Sequence, residues 1–150
     1  MDEPKHQQTR TYLGVPIERP NVAFFELTSC EGCQLQIVNN ESSLLDFLAL
    51  VNVVNFREAM TERSDEYDIA FVEGSVTRND EIERLTDIRK KANLLVAFGS
   101  CACFGGVNQL KNRFQDPAWV ARQVYGNHRM DTNATAEPLC SPPWTLYRAR

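Results

Sequence analysis

The sequence predicts an α/β fold: a doubly wound, flavodoxin-like parallel sheet with helices on both faces. Two observations predict it. Short apolar runs rich in β-branched and aromatic residues alternate with segments of helical period, in the order β-α-β-β-α-β-α. Cysteines also gather directly after two of those runs, at the carboxyl ends of predicted strands, where open α/β sheets bind their ligands.

Residues 1–20 are polar, interrupted by Pro4, Pro16 and Pro20, and carry no sustained period, so they read as an N-terminal arm. The first strand, Val22-Ala-Phe-Phe-Glu-Leu27, leads into Cys30-Glu-Gly-Cys33. Ile37, Val38, Leu44, Leu45 and Leu48 then share one helical face. The polar break Glu41-Ser42-Ser43 reads either as a surface for a partner or as a helix restart capped by Ser42. Val51 to Phe56 is the second strand, and Asp68 to Val72 the third, ending in Glu73-Gly74-Ser75.

The next helix is the best marked. Thr77 is its predicted cap with Asp80 three residues on, acidic residues load its first turn and Arg89, Lys90 and Lys91 its last, and Ile82, Leu85 and Ile88 form its buried stripe. Leu94 to Phe98 is the fourth strand, followed by Gly99-Ser-Cys101-Ala-Cys103-Phe-Gly105-Gly106 and a helix around Pro117 to Tyr125. Residues 21–126 therefore form the expected domain. Residues 127–150 are an atypical C-terminal segment, expected to be poorly ordered, without the strand that a five-stranded sheet would place ahead of Cys140.

A chain of 150 residues, 43% hydrophobic and 24% charged, suits one globular domain with a full core. A net charge of −4 provides no electrostatic footprint for nucleic acid. No apolar stretch approaches membrane-spanning length, so no membrane insertion is expected. Met1-Asp-Glu-Pro is acidic where a signal peptide is basic, and the expected location is the cytoplasm. There, clustered cysteines bind metal or carry out redox chemistry rather than form structural disulfides.

Cys30 and Cys33 are spaced so that both sulfurs reach one side of a strand-to-helix turn, with Gly32 allowing close approach of a bulky ligand. The helix N-terminus is expected to favour thiolates. Cys101 faces the first pair from the end of the fourth strand, Gly99 and Gly105 relieve its turn, and Cys103 points elsewhere as a small buried hydrophobe. Glu73 and Gly74 end the third strand at the same edge, with Glu73 a possible acceptor for the turns. A thioredoxin-like dithiol needs no second cysteine site. Four thiolates suit both zinc and iron-sulfur, although zinc ribbons use paired hairpin knuckles rather than ligands spread across a sheet.

Leu27-Thr-Ser-Cys30-Glu-Gly-Cys33, Phe71-Val-Glu-Gly74-Ser and Ala97-Phe-Gly-Ser-Cys101-Ala-Cys-Phe-Gly-Gly-Val107, in this order and spacing, resemble the small subunit of nickel-iron hydrogenases. The likeness is nearest to the soluble type of sulfhydrogenase and coenzyme-reducing complexes. More distantly, the chain resembles the 20 kDa subunit of NADH:quinone oxidoreductase, which has two adjacent cysteines where Glu31 and Gly32 separate them here. The resemblance implies a proximal 4Fe-4S cluster, with Cys30, Cys33 and Cys101 matching the first three ligands. In the family the fourth lies in a Gly-Cys-Pro segment; here Cys140 stands between Leu139 and Ser141, ahead of Pro142 and Pro143, one residue out of register. The implied partners are a large subunit carrying the nickel-iron centre and further iron-sulfur or flavin electron-carrier subunits. The implied role is electron transfer, with no hydrogen cleavage by this chain alone. The rival readings are a thiol-disulfide protein using Cys30 and Cys33, and a cluster-free scaffold subunit.

Overall fold

A computed structural model describes residues 10–114 together with Trp119 and Gln123. Its main sheet is built from β3 (Asn21–Glu26), β4 (Asn52–Phe56), β5 (Ile69–Glu73) and β6 (Leu94–Phe98), all parallel, in the order β4-β3-β5-β6. The chain leaves β3 for β4 on one side and returns to place β5 on the other. That reversal is the doubly wound pattern the sequence predicted, and it opens a crevice between the carboxyl ends of β3 and β5.

Alternation along the strands divides the core into two layers. Ala23, Phe25, Ala70 and Val72 face α3 (Asn79–Lys91), whose Leu85 and Ile88 are buried against them. Val22, Phe24 and Phe56, with Ile69 and Phe71, face α1 (Gly32–Val38) and α2 (Glu41–Leu50) through Ile37, Val38 and Phe47. Phe24 anchors this second layer, stacked on Phe71 at 5.1 Å between ring centres and tilted against Phe56 at 4.6 Å. Being covered on both faces, β3 is a continuous apolar run rather than an alternating one.

Three local features differ from the sequence reading. The helix restart begins at Asn40, whose Oδ1 accepts from the Ser42 hydroxyl at 3.4 Å; Ser42 is inside α2 and does not cap it. The helix α3 is closed not by Thr77 with Asp80 but by Glu81. Its carboxylate accepts hydrogen bonds from the Thr77 and Arg78 backbone N–H groups, 2.8 and 3.1 Å long, and from the Thr28 hydroxyl at 2.8 Å. Thr28 lies just past β3, so the cap also pins the first strand to this helix. Finally, part of the arm is ordered as a hairpin of β1 (Thr11–Tyr12) and β2 (Val15–Pro16), held where Asn93 Nδ2 donates to the Gly14 carbonyl at 2.9 Å.

After β6 the chain enters α4 (Gly99–Phe104) directly and then a 3₁₀ helix, Gly106–Arg113. Of the helix expected around 117–125, Trp119 and Gln123 are described, both helical. The segment 127–150, with Cys140, lies outside the described residues. No helix among the described residues is long and apolar enough to cross a membrane.

Leu85 is fully buried, so Leu85→Ala is expected to lower the unfolding free energy by about 2–5 kcal/mol in urea denaturation. Glu81→Ala leaves buried donors unpaired and is expected to cost about 1–3 kcal/mol in the same assay. Losses under about 0.5 kcal/mol, the range of surface changes, for both variants would contradict this packing.

Candidate metal centre

The exits of β3 and β5 cross in contact at the crevice. Leu27 N–H donates to the Glu73 carbonyl at 2.8 Å and Ser75 N–H to the Thr28 carbonyl at 3.0 Å. Gly74 is required there: its φ is +95°, and a Cβ would lie 2.8 Å from the Leu27 carbonyl carbon. Asn108 of the 3₁₀ helix closes the crossing, its Nδ2 donating to the Thr28 carbonyl and the Ser75 hydroxyl, each at 2.9 Å. The segment after β6 is thereby drawn across to the ends of β3 and β5, carrying Cys101 toward the first cysteine pair.

Glu73 positions that pair. Its side chain is 2% exposed, and its two oxygens accept from the Cys33 and Gln34 backbone N–H groups at 3.2 and 3.1 Å. A buried carboxylate thus satisfies donors that the first turn of α1 would otherwise leave open. Its sheet neighbour Glu26 is engaged differently. Burial works against the Glu26 charge, but hydrogen bonds from Arg84 at 3.2 Å and Arg57 at 3.1 Å outweigh it and hold its carboxyl below the usual range. The tight turn of the Cys30–Cys33 loop is made by Glu31, a non-glycine residue in the left-handed region at φ 62°.

The thiols of Cys30, Cys33 and Cys101 each lie against a glycine. A Cβ on Gly32 would meet Cys30 Sγ at 3.4 Å, one on Gly106 would meet Cys101 Sγ at 2.7 Å, and one on Gly99 would overlap Cys33 Sγ. Gly99 also has φ +85°, which disfavours any side chain there. Gly105, expected to relieve the turn around Cys101, is the C-cap of α4 at φ +84°, where an added Cβ would run into Gln109. Cys103 is directed to the Ala97 carbonyl, at 3.6 Å, rather than toward the other thiols.

The electrostatics correct one expectation. Burial, followed by the charge of Glu73 and its hydrogen bonding, pushes the Cys33 thiol up, with Cys30 and Cys101 adding to it. Burial, then Cys30 and Glu73, pushes Cys101 up against the opposing Val107 N–H and Ser100 hydroxyl. At Cys33 and Cys101, burial and neighbouring negative charge work against the thiolate, and Glu73 already accepts from the Cys33 and Gln34 N–H groups at the start of α1. A cationic metal core would supply the compensating charge, and binding it would release protons.

The donor set is soft thiolate, backed by bare backbone, which fits a bulky iron-sulfur core. Among the described residues, no group of three or more His, Cys, Asp or Glu side chains forms a site for a single metal ion. None of the four described cysteines is in a disulfide. Sequence reasoning missed Asn108, Gly106 and Gln34. Of these, Gln34 had a legible signal: a polar residue on the helical face shared with Ile37 and Val38.

The pattern of the family described as NADH ubiquinone oxidoreductase, 20 Kd subunit, matches residues 30–142. The chain is similar to sulfhydrogenase 2 subunit delta of Pyrococcus furiosus, 36% identical over 104 residues, covering 69% of this chain and 43% of that relative. It is also similar to NAD-reducing hydrogenase HoxS subunit delta of Cupriavidus necator, 33% identical over 120 residues, covering 78% of this chain and 54% of the relative. The chain thus spans about half the length of these relatives. A solved NAD⁺-reducing [NiFe]-hydrogenase in the H₂-reduced state contains a chain of the same fold, with TM-score 0.63 and 25% identity over 81% of this chain and 67% of that one.

In the metal-free chain, alkylation of Cys33 and Cys101 by iodoacetamide is expected to rise with pH along curves centred above the ordinary thiol value of 9.0. Removing the charge with Glu73→Gln should move the Cys33 curve down, which peptide mass spectrometry can follow. A Cys33 curve centred at or below that ordinary value in the unaltered chain would contradict the electrostatics described.

Proposed function

The chain belongs to the NADH ubiquinone oxidoreductase 20 Kd subunit family, and on that footing we propose that it is the electron-transfer subunit of a nickel-iron hydrogenase-type oxidoreductase. The observation that carries this reading is that Cys30, Cys33 and Cys101 lie near enough to act on one another electrostatically, each against a glycine. These three residues would hold a proximal 4Fe-4S cluster, with Cys140 the proposed fourth ligand. Bound there, such a cluster would supply one-electron transfer.

The chain's own contribution is placement. Glu73 orients the first thiol pair through the backbone, Gly99 and Gly106 keep the space beside Cys33 and Cys101 clear of side chains, and Asn108 ties the second cysteine segment to the first. Exposed Phe104 and Val107 lie about one and two helical turns past Cys101 in sequence, at 70% and 77% exposure, and support docking of a partner next to the site. The proposed partner is a large subunit with the nickel-iron centre, served in turn by iron-sulfur or flavin carriers, in the cytoplasm. Hydrogen cleavage is assigned to that partner.

A thiol-disulfide role is less well supported. It needs only Cys30 and Cys33 and gives no role to Cys101, which lies near enough to Cys30 to feel its charge.

The chain, purified anaerobically with its partner or reconstituted with iron and sulfide, is expected to hold about four irons and an equal amount of acid-labile sulfide. Stoichiometric zinc without sulfide, or a reversible Cys30–Cys33 disulfide without iron, would overturn the proposal. Cys33→Ser and Cys101→Ser should abolish loading, while Cys103→Ser should retain it. Equal iron loss from Cys101→Ser and Cys103→Ser would show the ligand assignment to be wrong.

A further inference from the structure

Gln34 is 1% exposed, and both polar atoms of its side chain, Nε2 and Oε1, are buried without a hydrogen-bond partner among the described residues. Its backbone N–H is already committed to Glu73 Oε2. A buried amide left in this condition is costly, because it has given up water on both its donor and its acceptor sides. Nothing in the helix requires an amide. Gln34 shares the inner face of α1 with Ile37 and Val38, which pack on the Phe24 layer, and a leucine or methionine would fill that position without an unpaired group.

Two features place Gln34 at the thiol site. The backbone N–H groups of Cys33 and Gln34 bind the two oxygens of one carboxylate, Glu73, whose charge also acts on Cys101. Side chains on an α-helix lean toward its N-terminus, and the N-terminal turn here is the Cys30–Cys33 loop. Resting on the iron-sulfur reading above, we propose that Gln34 is a positioning residue for the cluster, its Nε2–H donating to a sulfur of the loaded site. A donor facing cluster sulfur stabilises the more negative reduced state, so Gln34 would hold the reduction potential above the value set by the thiolates alone.

The test uses the full chain loaded anaerobically with iron and sulfide, comparing the unaltered protein with Gln34→Met and Gln34→Leu, which remove the N–H while keeping an apolar side chain of similar size. Three results are expected. Iron and sulfide content is retained, and the midpoint potential read by electron paramagnetic resonance moves to more negative values. An exchangeable-proton coupling, visible by electron-nuclear double resonance after transfer to D₂O, is lost. The metal-free variants also unfold at the same or higher urea concentration than the unaltered chain, because an unpaired buried amide has been removed.

An unchanged potential with an unchanged coupling would overturn the inference while leaving the cluster reading intact. So would a loss of stability or of fold in both metal-free variants, which would mean that the amide is satisfied by buried water or protein without any cluster. Failure of the unaltered chain to take up iron and sulfide would overturn the cluster reading itself, and this inference with it.

Discussion

Glu73 is buried at the end of β5, and its two oxygens accept from the Cys33 and Gln34 backbone N–H groups at 3.2 and 3.1 Å. This contact locks the start of α1 to a strand other than the one that precedes it. It adds a direct tie to β5 for a loop that otherwise leaves from the exit of β3. With it, the first cysteine pair sits over the crevice between β3 and β5, within reach of a segment arriving from β6. The arrangement also has a cost. Burial raises the Cys33 and Cys101 thiols above their ordinary value, and the negative charge of the same carboxylate adds to the rise. A cationic core, if bound as proposed, would offset that charge.

The second constraint is steric. Two exits cross at the sheet edge, a third segment is clamped over them by Asn108, and a Cβ on Gly99 or Gly106 would run into the thiol of Cys33 or Cys101. Cys103 lies only two residues from Cys101 yet turns back to the Ala97 carbonyl. Within α4, two residues amount to just over half a helical turn, so the two side chains leave the helix on opposite sides.

Much of this was legible in the sequence. Doubly buried strands such as Asn21–Glu26 appear as continuous apolar runs, and α3 carries charges matched to its dipole, so both could be located from pattern alone. The positions of Cys30, Cys33 and Cys101 after strands pointed to one edge of the sheet. What escaped were contacts between distant residues. Glu81, not Thr77 with Asp80, closes α3 because Thr28, 53 residues away, helps hold its carboxylate in place. Gly105 and Gly106 look alike in the sequence; only the fold makes one a helix cap and the other the wall beside Cys101. The left-handed turn falls on Glu31 rather than on the adjacent Gly32, which no local preference would suggest.

Thiols from two separate turns are proposed to enclose one inorganic iron-sulfur core. X-ray absorption fine structure at the iron edge of the loaded chain tests it most directly. The account predicts a first shell of sulfur alone, with an iron–iron shell beyond it. A first shell of nitrogen or oxygen, or sulfur without any iron–iron scattering, would contradict it.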